Sequence, residues 1–197
     1  MAVDWPLLRF LSNKNVVLAS ASPRRREILT DMGIVFEVVT TLKPDENDPF
    51  AYATPGEYVK DTARMKAKEV LARCQADRSL PDADIVIGAD TVVVIDGHVL
   101  EKPRDYDHAV TMLQKLSGRT HEVLTGVCVL GPCERTFVET TRVTFSEIDA
   151  DTIKAYVASR EPFDKAGAYG IQGEASLFVQ SIEGDYWNVA SIQSWAA

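Results

Sequence analysis

This chain has little of what marks several whole classes of protein. Cysteine is scarce: Cys74, Cys128 and Cys133 are odd in number, with no CxxC pair and no Cys/His spacing suited to a metal. A disulfide framework and a zinc module are thereby excluded, and free thiols without a catalytic part, in a reducing compartment, are expected. No apolar run approaches the length of a membrane span. The N-terminal "MAVDWPLLRFLSNKN" has an acid at Asp4 and lacks the apolar core of a secretory signal, so the expected location is the cytoplasm. Positive charge is not in excess: 21 Lys and Arg against 29 Asp and Glu leave a net charge of −8, with a pI near 4.9. That balance argues against general binding of nucleic acid or of a membrane surface. The GxxxxGK[ST] loop, the GxGxxG fingerprint, HExxH and GxSxG are also missing, and His98, His108 and His121 lack ligand spacing.

What is present suits one soluble globular domain: 46% hydrophobic residues in a chain of 197 suffice for a single core. The apolar run "NVVLA" (15–19) predicts a buried strand feeding a helix at 22–32, with Ser22 as N-cap, Pro23 in the first turn and Gly33 as the stop. "GIVFEVVT" (33–40) reads as a second strand and 41–57 as a loop long enough to be functional. A helix is expected over 57–74, with Tyr58, Thr62, Met65, Val70 and Leu71 lining one side. "ADIVIGADTVVVI" (83–95) is nearly continuous apolar, as in a strand covered on both faces, and Asp96-Gly97 marks a turn after it. A helix over 107–118, two β-rich stretches and a helix capped by Asp149 or Asp151 follow. The chain then reads as a glycine-rich loop, "FDKAGAYGIQGE", and a hairpin turning at Glu183-Gly184. Near the N-terminus, Leu7, Leu8, Phe10 and Leu11 are expected to dock on the domain. The mixture of βα units and hairpins places the chain in the α/β class, a mixed β-sheet flanked by helices in a single two-lobed domain around a cleft.

The chemistry begins in "ASASPRRREIL" (19–29), where Arg24, Arg25 and Arg26 open a helix. A helix start already carries partial positive charge and unpaired N–H groups, so arginines there call for an anion. With the Ser20 and Ser22 hydroxyls, the turn reads as a phosphate site. Successive helical residues fan out by roughly 100°, so Arg26 is expected on the surface. Asp90 stands inside an apolar strand, where a carboxylate must be paired, hydrogen-bonded or on a metal. In the acidic "PDEND" loop, Glu46, with Asp45 and Asp48 nearby, offers oxygen ligands to a hard cation. Lys66 and Lys102 are further basic candidates. Together these residues suit metal-assisted attack of water on a polyphosphate. Their spacing alone leaves a pyrophosphatase, a phosphatase and a nucleotide-binding module open.

Five motifs in order, "LASASPRRREIL", "GADTVV", "LEKPRD", "LSGRTHEVLTGV" and "EPFDKAGAYGIQG", resemble the Maf family of nucleoside triphosphate pyrophosphatases, from about residue 16 to about residue 190. The resemblance implies a Maf/ITPase-like mixed α/β fold around a deep cleft and a homodimer. It also implies dependence on Mg²⁺ or Mn²⁺ and hydrolysis of a nucleoside triphosphate to the monophosphate and pyrophosphate. It implies that Asp90 is the catalytic base and a metal ligand with Glu46, for which Asp45 is the rival. It assigns Ser20, Arg25, Lys66 and Lys102 to the substrate, with Lys68 the rival of Lys66, and puts Asp164 and Lys165 along the site. Arg24, Thr91 and Gln172 match the dTTP/UTP type of the family, the Gln amide having both a donor and acceptors for a pyrimidine edge. The alternatives are the 7-methyl-GTP type and a non-enzymatic, nucleotide-binding regulator of cell division. Residues 1–14 are an extension without a counterpart, and "WNVASIQSWAA" stops short of the family's usual last helix.

Overall fold

The computed structural model describes residues 5–42 and 47–190. Among them, strands β1 (Val16–Ala19), β2 (Glu37–Val38), β3 (Ile85–Ile95), β4 (His98–Leu100), β5 (Thr120–Leu130), β6 (Glu134–Phe145) and β7 (Val179–Glu183) form one mixed sheet. Its order is β2-β1-β3-β5-β6-β7, with β4 paired to β3. β1 runs parallel to β2 and β3, whereas β4 and β7 run antiparallel to β3 and β6. The helices are α1 (Pro6–Leu11), α2 (Pro23–Asp31), α3 (Pro55–Ala76), α4 (Tyr106–Leu116), α5 (Ala150–Ala158) and α6 (Tyr186–Val189). The class is mixed α/β, as the patterning predicts. No described helix is long and apolar enough to cross a membrane.

The chain divides into two compact units, and β3, β5 and β6 pass from one into the other. The first takes in the chain up to Asp90 with Gly126–Val138; the second takes in Thr91–Thr125 and the chain from Glu139. In the first, Val17, Val86, Cys128 and Leu130 of the sheet pack with Ala63, Ala67, Val70 and Cys74 of α3. The approach is close: a Cβ on Gly88 would strike the Ala63 carbonyl, and one on Gly126 the backbone of Val59. Only glycine lets a helix backbone sit so near a strand. The same closeness favours small residues on the inner face of α3. Met65 is therefore 43% exposed, against expectation, while Leu71 packs half-buried against the core as expected and Val59, Ala63 and Ala67 are buried beside Tyr58, Thr62 and Val70.

In the second unit, the Ala109, Met112, Leu113 and Leu116 stripe of α4 is buried, as its periodicity predicts. Asp105 caps α4 through the His108 amide, and Asp149 caps α5 through the amides of Asp151 and Thr152. Phe145 lies edge-to-face with His121, Tyr169 and Phe178.

Three expectations are corrected. The strand over 33–40 is confined to Glu37–Val38, because its neighbour β1 is only four residues long and two register pairs join them. No hairpin forms at Glu183-Gly184: β7 pairs back with β6, and α6 follows, capped by Asp185 through the Trp187 amide. Asn188 anchors that helix by donating to Val123 O and Thr141 Oγ1, each at 3.0 Å. In α1 the i, i+3 spacing puts Leu8 and Leu11 on a half-covered side and leaves Leu7 and Phe10 exposed, so two of the four docking residues do not dock.

Candidate active site

β1 ends at Ala19, opposite Gly88, and leaves the sheet at Ser20 while β3 continues. Ala89 and Asp90 thus lie just beyond the last β1–β3 pair, at the kind of parallel-strand end where open α/β sheets gather ligands. Strand alternation puts Asp90 on the face of Gly88, the face that α3 covers. Ala63 and Ala67 lie over Gly88, and Lys66, one helical turn from Ala63, meets Asp90 with Nζ 2.7 Å from Oδ1. Both side chains are 15% exposed. The embedded carboxylate therefore has its answer in an ammonium of nearly equal burial. Lys68 points elsewhere: it pairs at 3.1 Å with Glu134, which also meets Arg64. The two bonds from Lys68 and Arg64 hold the Glu134 carboxyl below its usual range.

Ser20 Oγ accepts from the Ser22 amide at 3.2 Å and from Arg25 Nη1 at 3.0 Å, and the same Nη1 donates to Ala89 O at 2.8 Å. Arg25 thereby ties the turn after β1 to the residue preceding Asp90. Burial lowers its pKa to about 10, with the Asp90 charge opposing the fall and Arg24 adding to it. The guanidinium remains charged at neutral pH. Ser22 stands at the N-cap position of α2 but caps nothing with its side chain, contrary to expectation, and its Oγ is buried without a partner. Arg24 is half-buried and Arg26 exposed, so the three arginines fan out as helix geometry requires.

Glu46 and its rival Asp45 lie outside the described residues. Among the described residues no group of three His, Cys, Asp or Glu side chains could hold a metal. One carboxylate beside a phosphate-type turn nevertheless fits Mg²⁺, which keeps several waters and takes one or two carboxylates together with substrate phosphates.

The second unit carries Thr91, Lys102, Asp164, Lys165 and Gln172. Thr91 Oγ1 is 2.9 Å from Thr125 Oγ1. Lys102 is exposed before the buried Pro103, and Glu101 O accepts from the Gly167 amide at 3.1 Å. Lys165 turns inward, its Nζ donating to Glu161 O at 2.7 Å and to Asp164 Oδ1 at 2.6 Å. Gln172 is exposed between the buried Ile171 and Ala175. Sequence reasoning missed Tyr156 and Glu161. Tyr156 donates to Glu161 Oε1 at 3.0 Å and accepts from the Gly170 amide at 3.3 Å, while Glu161 Oε2 accepts from the Glu174 amide at 3.1 Å. Burial, then the Glu161 charge, pushes the Tyr156 phenol well above its usual pKa. Only the tertiary contacts reveal this pair, since a Tyr at the end of a helix and a Glu after it are common in any chain.

Comparison with known proteins places the chain in a family. The model described as Maf-like protein matches residues 15–192. A dTTP/UTP pyrophosphatase of Koribacter versatilis is 48% identical over 187 residues, covering 94% of this chain and 92% of that protein. One of Bacillus cereus is 46% identical over 180 residues, 91% of this chain and 90% of its own length. A human protein described as a probable bifunctional dTTP/UTP pyrophosphatase/methyltransferase is 45% identical over 194 residues, but this chain spans only 31% of it. Among solved structures, the Staphylococcus aureus Ham1 protein is similar at a TM-score of 0.40 and 17% identity, over 67% of this chain and 72% of that one.

Proposed function

This chain belongs to the Maf family, and from that premise we propose that it hydrolyses dTTP, UTP and modified pyrimidine triphosphates to the monophosphate and pyrophosphate. The observation that carries the reading is the Lys66–Asp90 pair, 2.7 Å apart and mostly shielded from solvent, beside the turn that opens α2. The substrate class comes from the names of the bacterial relatives.

Asp90, with Glu46, would hold Mg²⁺ or Mn²⁺, which when bound neutralises phosphate charge and makes phosphorus more electrophilic. Arg24, Lys66 and Lys102 bind triphosphate oxygens and stabilise the charge that gathers on the leaving pyrophosphate. Ser20 and Arg25 shape the turn that receives a phosphate, and Asp164 and Lys165 line the substrate-facing loop of the second unit. As Lys66 turns to a phosphate oxygen, the Asp90 carboxylate becomes available to water. Asp90 takes a proton from that water, the water oxygen bonds to phosphorus, and the anhydride between the α- and β-phosphates breaks. Arg24, Thr91 and Gln172 select the base, the Gln172 amide matching a pyrimidine edge with one donor and one acceptor. The working form in this reading is a cytoplasmic homodimer, which sedimentation equilibrium tests.

The deciding experiment is pyrophosphate release from dTTP, UTP, CTP, GTP, ATP and 7-methyl-GTP, with and without Mg²⁺ or Mn²⁺. Metal-dependent release from dTTP and UTP above the rest is the expected result. Preference for 7-methyl-GTP overturns the base assignment and keeps the reaction. Absence of release by folded protein overturns the reaction itself.

A further inference from the structure

The five residues Gly170–Glu174 carry Gln172 at their centre, and both ends of this loop are tied to the same two side chains. At one end the Gly170 amide donates to the Tyr156 hydroxyl, which donates in turn to Glu161 Oε1. At the other end the Glu174 amide donates to Glu161 Oε2. The loop also closes on itself through Gly173 N to Gly170 O at 3.0 Å, and Ile171 and Ala175 are buried on either side of the exposed Gln172. A carboxylate is suited to this position because it is acceptor-only at both oxygens, and both receive a donor. Gly173 is fitted to it as well: a Cβ there would run into the Glu161 carboxylate.

The geometry points to Glu161, acting with Tyr156, as a positioning residue that fixes the Gln172 loop and so sets discrimination between pyrimidine bases. This rests on the reading of Gln172 as a base-selecting residue. Glu161 touches no reacting atom in it. Its effect passes through the backbone of Gly170 and Glu174. A side chain that reads an edge by paired donor and acceptor must be held to a fraction of an ångström, and a loop pinned at both ends meets that need.

Two variants test the inference. Glu161→Gln keeps the shape but removes the charge and puts a donor in place of one acceptor oxygen, so the donation of the Tyr156 hydroxyl to that oxygen is lost and both ties lose their charge assistance. Gly173→Ala leaves the charge untouched and displaces the carboxylate. For both, the ratio of kcat/KM for UTP over CTP is expected to fall about tenfold, through KM for UTP, with kcat within about twofold. Faster hydrogen exchange of the Glu174 amide should accompany it. In a Gln172→Ala background, Glu161→Gln should lower the ratio no further, because both changes act through one group. If Gln172→Ala collapses the ratio and neither variant moves it, the positioning role is overturned while the reading of Gln172 stands. An equal loss on both bases also overturns it, since that is what a merely structural role produces. If Gln172→Ala itself leaves the ratio intact, the reading of Gln172 fails and takes this inference with it.

Discussion

The first unit buries its candidate groups and answers charge with charge; in the second, Lys165 turns inward to Asp164 in the same way, but Lys102 and Gln172 stand outside, and the backbone beneath Gln172 is pinned. Asp90, Lys66, Arg25 and Ser20 are all largely buried and are held by one another. Lys102 and Gln172 are exposed, and what is buried near Gln172 is its support: Ile171, Ala175 and the backbone ties to Tyr156 and Glu161. The difference has a thermodynamic side. A buried charge must find a partner or destabilise the fold, so stability and chemistry are coupled in the first unit. An exposed side chain on a braced loop can be changed at little cost in stability, so Gln172 is open to substitution in a way that Asp90 is not.

The largest effect that would test this contrast is at Asp90. Asp90→Asn keeps the size and a hydrogen bond to Lys66 but removes the proposed base, so turnover should fall about a hundredfold to ten-thousandfold in a protein that still folds, while the Lys66 ammonium, left without its counter-ion, lowers stability by about 1–2 kcal/mol. Pyrophosphate release at saturating UTP measures it. Full activity in that variant removes Asp90 from the mechanism.

The second test compares two lysines two residues apart on one helix. Lys66→Met strands the Asp90 carboxylate in a site open to solvent by only 15%. A loss of about 2 kcal/mol is expected, somewhat below the cost of breaking a fully buried pair. Lys68→Met breaks a pair whose members are 47% and 35% exposed, and should change stability by less than about 0.5 kcal/mol. Urea unfolding of the two variants at neutral pH decides the matter. Equal losses would mean that burial does not separate the two pairs.

A third test concerns a buried group of the second unit that has no charge partner. His121 lies against Phe145 and shares a hydrogen bond of 2.8 Å with the Tyr169 hydroxyl. Burial, outweighing the support of the Arg119 backbone, holds its imidazole down to about 4. Because the unfolded chain takes the proton near pH 6.5 and the folded one does not, stability is full above that pH and declines as pH falls toward about 4. About 2 kcal/mol should be lost between about pH 7 and about pH 5. His121→Gln, which can still meet the Tyr169 hydroxyl, should flatten the stability profile over that window in thermal melts. An unchanged slope would assign it to other groups.

The same contrast explains what could be read from the chain beforehand. Asp90 stood out because a carboxylate among valines and isoleucines needs an explanation, and the arginines stood out because a helix start is the wrong place for them. α4 was legible in its stripe, and the Asp96-Gly97 turn in its two residues, whose φ values of 52° and 74° suit a two-residue hairpin loop. The exposure of Met65 is not legible in the sequence, because hydrophobicity alone cannot show how near α3 lies to Gly88 and Gly126. Tyr156 and Glu161 are not legible because their importance lies in which amides they meet, and those amides are 14 and 13 residues away, respectively. The choice between Lys66 and Lys68 could not be made from spacing, since it depends on which of them faces β3.

Ser22 is the smallest test and the one that separates helix capping from phosphate binding. An N-cap serine that holds an amide contributes about 1 kcal/mol, and its loss is felt as instability. Ser22 holds none, and its own Oγ is buried without a partner. Ser22→Ala therefore removes an unsatisfied polar atom, which should change stability by less than about 0.5 kcal/mol or raise it slightly. If that hydroxyl meets a substrate phosphate at the start of α2, the cost will appear in KM for UTP, a few-fold higher, with kcat unchanged. A melting temperature lowered to the extent of a lost cap, with KM unmoved, would return Ser22 to a structural part and leave phosphate binding in this turn to the arginines and the helix amides.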